Sequence, residues 1–169
     1  HAAQGRSRSA AGCGLRHRTV TATYGQRIDV KNLTDEFWTL ELEPKAPGAM
    51  MMAPPHNLDP VKLYPKQAGR NAIVDHDRKY CMNDLVVFRH PLHGVSDNGT
   101  GHYRIDGVPV GHLRVSTSHY GLGNAAATRE TDVKAGETAT VDLTLNYRPE
   151  APSDGGGVDS GWQPYPGLH

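Results

Sequence analysis

Ten histidines, four methionines and two cysteines are the side chains of this chain best suited to chemistry. His90 and His93 flank a proline turn, and His102, His112 and His119 sit on or near neighbouring strands. Two or three imidazoles of such a set could hold zinc or copper, which makes His90, His93 and His119 candidate metal ligands. The plainer reading is polar residues on a solvent face and at strand ends. Met50, Met51 and Met52 are consecutive thioethers, soft enough for copper. Methionines more often fill an apolar gap or form a contact surface. Cys13 and Cys81 lie too far apart for a CxxC redox or zinc motif. They are either two buried thiols or one disulfide closing a long loop, and the extracytoplasmic look of the chain favours the disulfide. No Ser-His-Asp order, carboxylate pair or Cys-His pair stands out. The chain is therefore expected not to be an enzyme, and to need no cofactor unless copper or zinc binds.

The elements that must position these residues are strands. From Asn98 to Ser118 the sequence reads as a turn at Asn98-Gly99, a strand through Tyr103 and Ile105, a corner at Gly107–Gly111 and a second strand through Leu113 and Val115. Earlier, RTVTAT, QRIDVK and FWTLELE alternate apolar and polar residues with period two. Later, LVVF predicts a central strand buried on both faces, and TRETDVK and TATVDLTLN close the sheet. Inward-facing positions are expected to include Val20, Ile28, Val30, Leu40, Val86, Phe88, Ile105, Leu113, Val115, Val141 and Leu143, with Ala139 and Leu145 on the last strand. Residues 44–70 are proline-rich and break the pattern, predicting a long loop with at most a short VKL strand. Loops of that length are usually functional or form contact surfaces.

Helix-period apolar runs are nearly absent, while Gly 19 and Pro 12 are high. The pattern predicts an all-β fold, an antiparallel Greek-key β-sandwich with long loops. Lys+Arg and Asp+Glu are both 18, so bulk charge does not select nucleic acid. No apolar segment approaches the length needed to cross a membrane. Residues 1–12 read as a flexible arm, 13–148 as the sandwich and 149–169 as a Pro/Gly tail. The tail carries Trp162, Tyr165 and Leu168, candidate anchors for a partner's groove. Asn32-Leu33-Thr34 and Asn98-Gly99-Thr100 are glycosylation sequons.

Two blocks carry a resemblance: GCGLRHRTVTATYGQRIDVKN, and VVFRHPLHGVSDNGTGHYRIDGVPVGHLRVSTSHYGLG with the VKAGETATVDLTL close. Over about residues 12–146 the chain resembles bacterial secreted proteins that join a plastocyanin-like (cupredoxin) segment to a carboxypeptidase-regulatory-like, transthyretin-like β-sandwich segment. The resemblance implies a cupredoxin-like first half and a regulatory-like second half, in the periplasm or secreted. His90 and His119 fall where such relatives also have histidines. The copper pattern itself departs: N-L-T-D-E-F-W stands where the family has a histidine after the asparagine-ended strand. Cys81 and Met82 are adjacent, and His76 precedes the cysteine. The expected role is a structural or accessory subunit of a larger assembly, with protein partners. No transmembrane segment is expected, and any membrane association is expected through such a partner. The alternative is a copper-binding or electron-transfer protein with a rearranged site.

Overall fold

The computed structural model describes residues 6–10, 15–44, 50–119 and 125–146. These residues form strands and no helix. They divide into two compact units, one running to Ile105 and one beginning at Asp106. The division falls between Ile105 and the corner expected at Gly107–Gly111.

The first unit is a sandwich of two sheets. β1 (Arg6–Ala10), β3 (Ile28–Asn32) and β6 (Val61–Leu63) make one, in the order β1-β3-β6. β2 (Thr19–Thr23), β4 (Trp38–Glu43), β5 (Met50–Ala53), β7 (Gly69–Asp75) and β8 (Met82–Phe88) make the other, in the order β2-β8-β7-β4-β5. Ladders β3–β6, β4–β5, β4–β7 and β7–β8 are antiparallel, as the alternation predicts. β1–β3 and β2–β8 are parallel, so each sheet is mixed. Arg6–Ala10, expected to be part of a flexible arm, is a strand. A parallel ladder uses only main-chain groups, so it asks for no apolar period.

Residues from both sheets bury a common core: Val20, Ala22, Ile28, Val30, Trp38, Leu40, Leu42, Leu63, Ile73, Leu85 and Val87 are central to it. Trp38, Leu40 and Leu42 face inward on one side of β4, as their spacing predicts. On β8 the expected face is reversed. Leu85 and Val87 are buried at 0% and 2% exposure, whereas Val86 and Phe88 are half-buried on the outer face. An uninterrupted LVVF run has no period to choose between faces; pairing with β7 and β2 chooses.

The proline-rich loop is not structureless. It holds β5, paired to β4, and β6, the expected VKL strand. The Asn98-Gly99 turn is built differently from expectation. Asp97 Oδ1 accepts from the main-chain N–H of Gly99 (3.1 Å) and Thr100 (2.6 Å), and the positive φ falls at Gly101. This is an Asx turn: a carboxylate gathers amides and the left-handed residue follows. Those donors, the Thr100 hydroxyl first, hold the Asp97 carboxyl below its usual range. Gly94 has a steric reason: a Cβ there would come 3.1 Å from the Arg104 carbonyl oxygen. Tyr103–Asp106, expected as a strand, joins no ladder, and Ile105 is only half-buried.

The second unit is the hairpin β9 (Gly111–His119) and β10 (Ala125–Val133), antiparallel from Val133↔Gly111 to Ala125↔His119. Positive φ at Gly107 and Gly111 forms the expected corner, and Gly136 takes a positive φ in the turn after β10. Leu113 and Val115 are half-buried, as are Val141, Leu143 and Leu145. The closing segment keeps its alternation without a strand ladder, and Ala139 is exposed. Too few apolar side chains converge here to enforce pairing.

Candidate functional site

Sequence reasoning put metal chemistry on His90, His93 and His119. His93 is buried at 9% exposure; its Nε2 lies 3.1 Å from Thr23 Oγ1, and its ring stacks on Phe88 at 4.6 Å. This packing ties the 89–105 segment to the outer face of β2 and β8. His90 is exposed, its ring 6.0 Å from the same Phe88. His119 is exposed at the end of β9, in the second unit. The structure thus brings His90 and His93 together around Phe88. Among the described residues, no three His, Cys, Asp or Glu side chains form a group that could hold a metal.

Among the described residues, the donors do not fit a blue-copper centre. Such a centre needs a thiolate and two imidazoles converging on one point. Cys81 is disulfide-bonded and 3% exposed, so its sulfur is not a thiolate. Cys13, the other cysteine of the chain, lies outside the described residues. Near where the resemblance asks for a histidine stands Trp38, committed to the core. Its Nε1–H donates to Thr34 Oγ1 at 2.9 Å, and the Arg78 guanidinium lies 4.3 Å from its ring centroid. Arg78 in turn donates to Asp75 (2.7 Å), Glu36 and the Phe37 carbonyl (3.0 Å). Asp75 is almost fully buried, and its hydrogen bond is the main reason that the Arg78 pKa is raised.

Two buried asparagines, not singled out as structural in the sequence, hold the loops. Asn32, at 0% exposure, gives its amide N–H groups to the carbonyls of Glu36, Ala53 and Pro54 at 2.7–3.1 Å. Its Oδ1 accepts from the Thr34 N–H and hydroxyl. The amide of this sequon is therefore fully engaged inside the protein. Asn83, 4% exposed, donates to the His17 carbonyl at 2.9 Å and accepts the Leu15 N–H at 2.8 Å. Their local signals are a strand-ending Asn and an Asn inside an apolar alternation.

On the hairpin, His112 lies between two carboxylates, Nδ1 2.9 Å from Asp132 and Nε2 3.4 Å from Glu130. The Asp132 hydrogen bond, then the Glu130 one, raises its pKa. The carboxylates occupy opposite ring nitrogens, an arrangement for an imidazolium rather than for chelation.

The exposed apolar side chains are concentrated. Of twelve large hydrophobic side chains left exposed among the described residues, Met50, Met51, Met52, Leu58 and Tyr64 belong to the proline-rich segment. Leu58 is 91% exposed. β5 is the edge strand of its sheet. Trp162, Tyr165 and Leu168, the sequence's candidates for partner contacts, lie outside the described residues.

No family model and no curated protein matches the chain. Two solved structures are similar, both amicyanin variants in the reduced state. One has 12% identity and a TM-score of 0.42, the other 13% and 0.41. Each similarity covers 52% of this chain and 85% of the amicyanin chain. The all-β architecture stands on the ladders themselves.

Proposed function

We propose that this chain is a non-catalytic, extracytoplasmic β-sandwich that serves as a structural or accessory subunit of a larger assembly. The observation that carries the reading is the exposed apolar set of the 50–64 segment, Met50, Met51, Met52, Leu58 and Tyr64, beside the edge strand β5. Concentrated apolar surface marks contact sites, and an edge strand offers unused main-chain groups to a partner strand. The disulfide-bonded Cys81 supports an oxidising compartment. No described helix is long and apolar enough to cross a membrane.

The test is co-purification of the native protein with its assembly, compared with Leu58→Asp and Tyr64→Ser. Leu58 is 91% exposed, so Leu58→Asp keeps the wild-type thermal midpoint; Tyr64→Ser also removes a hydrogen bond to Arg27, so its folding is checked by its own midpoint. Loss of the assembly from these variants is the expected result. Undiminished assembly of both would contradict the reading.

A further inference from the structure

The outer face of the five-stranded sheet brings soft donors together. Glu41 pairs with Met50 and Thr39 with Met52 across the β4–β5 ladder, and directly opposed residues share a face. On the other side of β4, Glu41 pairs with Val74. His76 lies two residues beyond Val74, and its N–H donates to the Thr39 carbonyl at 2.7 Å. Met50, Met52 and His76 thus flank Thr39 and Glu41 on one face. Strands lie about 4.8 Å apart, so β5 and β7, on either side of β4, are roughly 10 Å from each other. Two flexible thioethers reaching from one side and an imidazole from the other can close that gap.

The histidine is already held as metal ligands are held. Its Nδ1 is hydrogen-bonded to Glu41, whose side chain is only 8% exposed. A carboxylate on one ring nitrogen fixes the tautomer and leaves the lone pair on the other. His76 is 37% exposed, and Met50 and Met52 are 54% and 68% exposed, so an ion can enter from solvent. Two thioethers and one imidazole, without a thiolate, select a soft monovalent ion over Zn²⁺ or Mg²⁺.

We propose that His76 Nε2 and the Sδ atoms of Met50 and Met52 form a surface site for Cu(I), with Glu41 holding the ring. The site is distinct from a blue-copper centre and requires no protein partner; it shares Met50 and Met52 with the docking surface, and its test uses the isolated protein.

The test is anaerobic competition of the disulfide-intact protein against a chromogenic Cu(I) chelator, beside Met50→Leu/Met52→Leu and His76→Gln. The leucines keep the apolar surface and remove the donors. The wild type should withdraw one equivalent more copper than the double variant, and each variant should bind that equivalent at least tenfold more weakly. In a parallel Ag(I) titration followed by NMR, the Met50 and Met52 methyls and the His76 Nε2 resonance should move. Met51, on the opposite face, should stay in place. Equal competition by the double variant overturns the proposal, as does an Ag(I) titration that leaves Met50 and Met52 unmoved.

Discussion

At the scale of single residues, Asn32 explains how the loop after β3 and the end of β5 are held. Its amide nitrogen faces three carbonyl oxygens, and only a donor is tolerated there. Asn32→Asp turns that donor into an anion among acceptors and should cost about 3 kcal/mol or more, read as a lowered denaturation midpoint. The asparagine is visible in the sequence as a strand end and as a sequon. Its function is not, because two of its three carbonyl partners, Ala53 and Pro54, lie 21 and 22 residues away along the chain. His112 gives a second test. Its pKa is raised in the folded protein, so its contribution to stability is fully present below the unfolded-state pKa. That contribution is lost as pH rises through the raised folded value. An NMR titration should therefore place His112 above an ordinary histidine, and Asp132→Asn should lower its midpoint. An unchanged midpoint in that variant would remove Asp132 as the main cause.

At the scale of elements, the strands were largely legible, and their faces were legible where polar and apolar residues alternate. β4 reads correctly because Thr39, Glu41 and Glu43 separate Trp38, Leu40 and Leu42. β8 does not, because Leu85-Val86-Val87-Phe88 offers two apolar faces and pairing decides between them. Leu85→Ala should accordingly cost about 2–5 kcal/mol and Val86→Ala clearly less, compared by chemical denaturation. Equal costs would contradict the assigned face. Ile105 and the alternating positions of the closing segment carry the right period but little burial, so period alone overstated the core. The candidate site was the least legible part. Histidine spacing pointed to His90, His93 and His119, whereas His76 acquires its setting from Glu41 and the β5 methionines through two ladders.

At the scale of the whole molecule, the chain joins a sandwich with a buried core to a hairpin unit whose apolar residues are only half-buried. Cys81 is disulfide-bonded, and the chain's other cysteine is Cys13. Mass spectrometry of the unreduced, alkylated protein should recover a Cys13–Cys81 linked peptide; two alkylated cysteines would contradict it. The central claim is that the apolar surface of the 50–64 segment is covered by a protein partner. The most direct measurement is hydrogen exchange of the 50–64 amides in the isolated protein and in its native assembly. The account expects slowed exchange in the assembly, strongest along β5 and around Leu58, with the amides of the buried core strand β8 unchanged. Identical exchange of residues 50–64 in the two states would contradict it.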